Sequence, residues 1–304
     1  MHVDLLGVQS VADVTRRLAR ALRDLPTHGA LHGALQKLVR HAPDLAATIG
    51  WGALTVSARK AMTPAPEATL EALLDLPAQA AEHLKATVLV VLDEFQDIDQ
   101  VEGADTTIRA VIQHQKHVSY LFSGSEPSIM EAIFADRRRA LYSQAERIAL
   151  GPLPDDDLGA FVEARFEETR RRVDAATIAS YLVFVAGHPQ RAMFVAHHLW
   201  MQTPARRVAD LDRLQLAIDE ALASYTYEGA QELRTLTGPQ VKVCRLVAHG
   251  EPVHGAASRH LELAKSTASQ SVAALRKATT IAGDPPELID PLFAEWLRRE
   301  LPLG

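Results

Sequence analysis

Val88-Leu89-Val90-Val91-Leu92-Asp93-Glu94 holds the most legible chemistry in the chain. An apolar, β-branched run without polar alternation predicts a strand buried on both faces of a parallel sheet. Such a strand delivers the acids that follow it to the C-terminal edge of the sheet, where ligands of open α/β sheets bind. Asp93 there suits a Mg²⁺ ion held through water. Glu94 suits orienting or deprotonating a water that attacks a γ-phosphate. The same residues also read as a strand ending in two solvated acids. One helix later, Val118–Phe122 is a second strand candidate, and Ser123-Gly124-Ser125 ends it. Ser125, before Glu126-Pro127, reads as a helix N-cap.

The elements that would position these residues alternate along the first 152 positions. His2–Val8 is a short apolar segment. Val11–Asp24 follows as an amphipathic helix capped by Ser10, with Val11, Val14, Leu18, Leu22 and Leu25 near one face. Pro26–Gly33 reads as a turn region, residues 34–42 and 68–84 as helices, and the stretch between them, with Gly50, Gly52, Pro64 and Pro66, as irregular. Helices are expected over 104–115 and Pro127–Phe134, with a last short strand at Arg147–Leu150. Strands alternating with helices predict a parallel α/β sheet. Residues 153–236 lose the strand signal. They open on the acidic start Asp155-Asp156-Asp157 and predict helices over 155–170, 174–186, 189–202 and 207–224. Residues 237–304 predict helices over 239–248, 254–262 and 266–279, a turn at Gly283-Asp284-Pro285-Pro286, a short strand at Leu288-Ile289-Asp290, and a terminal helix Pro291–Leu301. That is the outline of a winged helix-turn-helix.

Composition excludes several classes. The 304 residues are 47% apolar and 23% charged, an ordinary globular balance with room for two or three domains. A single cysteine, Cys244, excludes an intramolecular disulfide framework and a multi-cysteine zinc site, and points to a reducing cytoplasm. A net charge of −6 argues against a strongly basic nucleic-acid binder and leaves room only for a local basic face. The apolar runs Val88–Leu92 and Tyr181–Ala186 fall far short of the ~20 residues of a membrane helix. The start Met1-His2-Val3-Asp4 is not that of a signal peptide. The thirteen histidines form no metal set: His197 and His198 are adjacent and diverge, and His114 and His117 straddle an element boundary.

Val88–Glu94 has the form of a Walker B strand. The order of further pieces carries a resemblance. Val90-Val91-Leu92-Asp93-Glu94-Phe95-Gln96-Asp97 is followed by Phe122-Ser123-Gly124-Ser125, Ala140-Leu141-Tyr142, Leu150-Gly151-Pro152-Leu153 and Gly187-His188-Pro189. Ile289-Asp290-Pro291-Leu292-Phe293-Ala294-Glu295-Trp296-Leu297 closes the set. Together, over nearly the whole chain, they resemble the archaeal-type ATPases of the STAND/AAA+ group. The resemblance implies a nucleotide-binding α/β domain (1–152), a helical lid (153–236) and a winged helix (237–304), with ATP and Mg²⁺ as cofactors of a nucleotide-dependent switch. It implies a phosphate- or water-sensing role for Ser123, with Ser125 the other candidate. His188 and Pro189 would lie against the nucleotide, and Arg191 would serve as a lid arginine. Arg139 and Arg147 are candidates for an arginine finger acting in trans. The residues themselves leave plainer alternatives open: a helix stop and start at Gly187-His188-Pro189, an exposed Arg191, and a solvated basic turn at Arg137-Arg138-Arg139 pairing with Asp136 or Glu146.

One piece of that family is absent. A P-loop, Gly-x-x-x-x-Gly-Lys-Ser/Thr, cradles phosphates with backbone N–H groups and a lysine. None of the seven lysines, Lys37, Lys60, Lys85, Lys116, Lys242, Lys265 and Lys277, follows a glycine. The segment 2–8 matches the family's second strand, so the fold expected is a partial parallel P-loop-type sheet lacking strand 1. A misassigned start, a unit supplied by another chain, or a degenerate relative would each account for this. The chain alone is expected to bind Mg-ATP weakly or not at all and not to hydrolyse it. The alternative reading is a non-catalytic DNA-binding or regulatory protein acting through residues 237–304, with a DNA or protein partner or self-association. Lys265, Thr267, Ser269, Gln270 and Lys277, with Arg259 beside them, would reach phosphates or base edges. Eight Lys/Arg against seven Asp/Glu over 238–304 give that reading little electrostatic drive.

Overall fold

A computed structural model of the chain describes residues 1–40, 42–51 and 65–303. The described chain divides into two compact units, Met1–Arg147 and Ile148–Gly304.

The first unit is built on the parallel sheet β1 (His2–Asp4), β2 (Val88–Asp93) and β3 (Val118–Phe122), in the order β1-β2-β3. Its helices are α1 (Val11–Arg23), α2 (Ala30–Val39), α3 (Pro43–Ile49), α4 (Pro66–Leu84), α5 (Ala104–Ile112) and α6 (Pro127–Ala135), with a 3-10 turn at Phe95–Gln100. Ser10 caps α1 as its sequence predicts, its Oγ accepting from the Asp13 N–H at 3.2 Å. Val14, Leu18 and Leu22, four residues apart, are buried together. They join Val3, Val90, Leu92, Leu70, Leu73 and Leu74 in one core.

Three expectations for this unit need correction. First, β2 is not buried on both faces. Val88, Val90 and Leu92 point into the core, whereas Leu89 is 50% exposed and Leu121, on the same face of β3, is 45% exposed. A continuous apolar run cannot by itself tell a strand covered on two faces from one covered on one. Second, the stretch read as irregular contains α3, and α2 begins four residues before its expected start. Short helices held by tertiary contact carry weak local signals. Residues 52–64 of that stretch, with Gly52 and Pro64, lie outside the described residues. Third, Arg147–Leu150 forms no strand, and Leu150 is 93% exposed. Among the described residues Arg147–Leu150 pairs with no strand. An unpaired strand gains no ladder hydrogen bonds to offset its ordering entropy.

The second unit contains α7 (Asp155–Glu168), α8 (Ala175–Val185), α9 (Pro189–Gln202), α10 (Leu211–Thr235), α11 (Gly238–Ala248), α12 (Ala256–His260), α13 (Lys265–Lys277) and α14 (Pro291–Glu300). Two elements interrupt the helices where none was expected: β4 (Arg172–Val173) and β5 (Val208–Ala209), a parallel pair of two-residue strands. An antiparallel hairpin, β6 (Ile281–Ala282) and β7 (Glu287–Leu288), sits before α14. Helix α10 runs well past its expected end at 224. Gly229 lies in its interior, where a Cβ would stand 3.0 Å from the Trp296 ring. That glycine serves a close approach between helices, not a helix stop. Helix α13 begins at Lys265, one residue before its expected start. The core is continuous across the lid and winged-helix segments named from sequence, running from Tyr181, Leu199 and Tyr225 through Cys244 and Leu275 to Phe293 and Leu297. Cys244 is fully buried, and burial pushes its thiol up to about 12. No helix among the described residues is long and apolar enough to cross a membrane.

Candidate functional site

The sheet brings Asp93, Glu94 and Ser123 together. Parallel pairing sets Leu92 beside Phe122, so the residues that follow the two strands emerge side by side. The Ser123 N–H donates to the Leu92 carbonyl at 3.0 Å, and the Phe95 N–H donates to the Ser123 carbonyl at 2.9 Å. These bonds extend the ladder one step beyond β3. They aim the Ser123 hydroxyl at Asp93, to whose Oδ1 it donates at 2.7 Å. The Glu94 N–H reaches the same oxygen at 3.2 Å, and His2 Nε2 lies 3.3 Å from Oδ2. The Ser123 hydroxyl, with smaller help from the Glu94 N–H and His2, holds the Asp93 carboxyl below the usual carboxylate range, against an opposing effect of partial burial.

Glu94 adopts a left-handed conformation, φ 51° and ψ 42°. A non-glycine residue there costs on the order of 1 kcal/mol, and such outliers cluster at functional sites. The turn bends the chain into the Phe95–Gln100 3-10 segment and brings Gln96 back beneath Glu94. Gln96 Nε2 donates to Glu94 Oε2 at 2.5 Å, and the Ser125 hydroxyl donates to the same oxygen at 3.0 Å. Ser125 therefore does not cap α6. The cap position is Glu126, with no side-chain bond. Gln96 is 4% exposed, and its Oε1 has no hydrogen-bond partner. A Cβ on Gly124 would stand 2.4 Å from that oxygen and 2.8 Å from Met130 Sδ, so the absence of a side chain lets β3 exit over the carboxamide as it lies. Gln96 and Gly124 are site residues that the sequence reading passed over, although both sit inside its motifs. Asp97 completes the rim, its Oδ2 accepting the Gly7 N–H at 2.6 Å and fixing the turn after β1.

This edge offers hard oxygen donors, the Asp93 carboxylate and the Ser123 hydroxyl. Among the described residues, no group of three or more His, Cys, Asp or Glu side chains converges on a cation position. A Mg²⁺ ion here would need water or ligand oxygens for most of its shell, as Mg²⁺ usually does.

The other sequence candidates divide between the two units. Arg139 is tied inside the first unit to Asp99 and, at 3.3 Å, to Asp105. Arg147 is mostly exposed and 3.6 Å from Glu131. In the second unit His188 caps α9, its Nδ1 accepting from the Arg191 N–H at 3.3 Å, and Pro189 opens the helix. Gly187, at φ +68°, packs against Leu153, whose N–H donates to the Gly187 carbonyl at 2.8 Å.

Arg191 is not the exposed helix residue of the plainer reading. Its side chain is 7% exposed and lies 2.6 Å from Glu228 and 2.7 Å from Asp290, with the guanidinium 4.7 Å from the centre of the Tyr225 ring. Burial alone would lower its pKa, but Glu228 and Asp290 more than offset that and raise it. Asp290 also caps α14 through Leu292 and Phe293 N–H. Arg191 thus ties α9 to α10 and to the start of α14. On α13, Lys265, Ser269, Gln270 and Lys277 are exposed and Thr267 is half-buried, while Leu275 is buried and Val272 packs against the core.

No protein-family profile and no curated protein matches the chain. Its fold does have solved counterparts. A Walker-type ATPase of Pyrococcus abyssi aligns with a TM-score of 0.65 at 16% identity, over 98% of this chain and 83% of that one. The ORC2 protein of Aeropyrum pernix, solved as ADPNP-ADP complexes, aligns with a TM-score of 0.53 at 16% identity, over 98% of this chain and 77% of that one. The chain is thus a helix-rich α/β protein with a small parallel sheet, similar in fold to these two proteins.

Proposed function

We propose that the chain is a relative of the STAND/AAA+ nucleotide switches whose β2–β3 edge keeps the metal-and-water side of a nucleotide site without the phosphate cradle. In this reading 1–152 is the nucleotide-facing domain, 153–236 the lid and 237–304 a winged helix. The observation that carries it is the Ser123–Asp93 hydrogen bond at the shared C-terminal edge of two parallel strands, next to a Glu94 held in a left-handed turn. The fold similarity to a Walker-type ATPase supports it.

The residues fit the two cofactors unequally. Asp93 and Ser123 suit Mg²⁺, which would supply positive charge to draw phosphate oxygens toward the edge. The triphosphate lacks its usual holders: the sequence contains no Gly-x-x-x-x-Gly-Lys-Ser/Thr. No hydrolytic step is therefore assigned. Asp93 holds the cation side, Ser123 keeps Asp93 ionised and oriented, and Gln96 with Ser125 fixes the Glu94 carboxylate. In the lid, His188 and Pro189 form the nucleotide-facing turn. Arg191 serves there as a structural tie, its charge already met by two carboxylates. Arg139 and Arg147 remain the arginines nearest in sequence to the family's trans-acting finger, Arg147 being the more accessible.

The test is a titration of Mg²⁺ alone, then of a fluorescent ATP analogue with Mg²⁺, into the purified chain. The expected result is a Mg²⁺-dependent shift of the Asp93 carboxyl resonance, absent in Asp93→Ala, with no saturable analogue binding and no turnover. Turnover that disappears in Glu94→Gln would overturn the reading.

A further inference from the structure

The second unit concentrates five arginines at one end of a two-stranded sheet. The chain writes nearly the same phrase twice: Arg171-Arg172-Val173-Asp174 and Arg206-Arg207-Val208-Ala209-Asp210. Each phrase makes a short strand and then a capped helix. Because β4 and β5 are parallel, with Arg172 beside Val208 and Val173 beside Ala209, their basic starts fall at the same end. The Arg206 N–H bonds to the Arg170 carbonyl at 2.6 Å and the Arg172 N–H to the Arg207 carbonyl at 3.1 Å, which locks the two basic segments side by side. Arg170 and Arg206 both hold left-handed conformations, φ 59° and 66°, although neither is glycine.

These residues line a cavity of about 340 Å³ formed by Glu167, Arg170, Arg171, Arg172, Arg206 and Arg207. That is near the lower end of small-ligand cavities, ~300–1,000 Å³. Glu167 is its one acid. The acids close by in sequence are engaged elsewhere. Glu168 pairs with Arg165, Asp174 caps α8 through the Thr177 N–H, and Asp210 caps α10 and pairs with Arg213. Among the described residues, none of the five arginines has a carboxylate within salt-bridge distance, in contrast to Arg165 and Arg213 beside them. Arg171 is a fixed wall: it donates to the Thr203 and Thr169 carbonyls and lies 4.2 Å from the centre of the Trp200 ring. The other four are exposed.

We propose that this end of the β4–β5 pair binds a compact oligophosphate, an anion with at least two adjacent phosphate groups. Guanidinium groups match phosphate oxygens in bidentate geometry, and several of them around a small cavity balance the charge of more than one phosphate. A nucleic-acid strand is a poorer fit. Strand-binding surfaces pair a basic groove with open aromatic platforms, and the Trp200 face is already covered by Arg171. The site lies wholly in the second unit and does not depend on Asp93.

The test is isothermal titration of the full chain with inorganic triphosphate, with ATP and with a single-stranded oligonucleotide. Saturable, salt-sensitive triphosphate binding is expected, weakened by roughly tenfold or more in Arg172→Gln/Arg207→Gln, the worth of one charge-assisted contact. Arg165→Gln and Asp93→Ala should bind as the wild type does. Arg170→Gln/Arg206→Gln is the second variant if the first melts early. ATP binding with the same arginine dependence would assign the phosphate chain of a nucleotide; triphosphate binding without ATP binding would assign an inorganic oligophosphate. Absence of saturable triphosphate binding, undiminished affinity in folded double variants, or binding of the oligonucleotide alone would overturn the proposal.

Discussion

Two charged clusters in this chain show opposite designs. At the β2–β3 edge, Asp93 is 40% exposed and meets, among the described residues, a serine hydroxyl, a backbone N–H and an imidazole. Around Arg191, a guanidinium that is 7% exposed is closed between two carboxylates and a tyrosine ring. In the first cluster the partners are weak and water has access, so a stronger partner can displace them at small cost. In the second a buried guanidinium is met by two full charges, the exposed Glu228 and the mostly buried Asp290, and removing the guanidinium would strand Asp290. The first is suited to receive a ligand and the second to hold helices together, although sequence reading assigned both to the same nucleotide.

The contrast can be broken most directly at Arg191. Arg191→Met leaves Asp290 facing a core without its counter-charge and should cost about 3 kcal/mol, on the order of 10 °C in melting temperature. Asp93→Ala should change the melting temperature little. Equal melting temperatures in the two variants would erase the distinction. Next in size come the two tight glycines. Gly187→Ala adds a Cβ 2.6 Å from the Leu153 carbonyl at a positive φ, and a backbone atom cannot swing away. It should cost about 2–3 kcal/mol by chemical denaturation. Gly124→Ala meets the ends of Gln96 and Met130, which can rotate, so its cost should be smaller and its effect should appear in the Glu94 environment.

The smallest effect sharpens the open site. Ser123→Ala should cost about 1 kcal/mol or less, the net worth of one hydrogen bond. It should also let the Asp93 pKa rise toward the ordinary carboxylate value, as followed by NMR titration. The sign follows from linkage. A depressed carboxyl contributes stability that is present above its unfolded pKa and is lost as pH falls through the folded one. Ser123→Ala should therefore lose less stability to acid than the wild type does.

What could be read from sequence follows from how local each signal is. β3 falls at its predicted limits, and β2 begins at Val88 and takes in Asp93, because β-branched runs bounded by polar residues specify strands locally. The pairing of Asp93 with Ser123 was legible in part, since parallel strands must end together. Gln96 was not, because its return to Glu94 depends on a left-handed turn that no residue type announces at that position. β4 and β5 escaped notice because two-residue strands have no periodicity, and their signal was the repeated Arg-Arg-Val phrase itself. Arg147–Leu150 misled in the opposite direction. It has the residues of a strand, but the pairing edge is a tertiary property.

The lone cysteine turns one of the two units into its own reporter. Cys244 lies in the continuous core of Ile148–Gly304, and Met1–Arg147 carries no thiol at all. A thiol-specific reagent can therefore modify this chain only when the second unit opens, and the labelling rate is a clock for that opening alone. Ligands can then be sorted without any assay of their chemistry. One that slows the clock has engaged α7–α14, and one that leaves it unchanged while still binding has engaged the sheet.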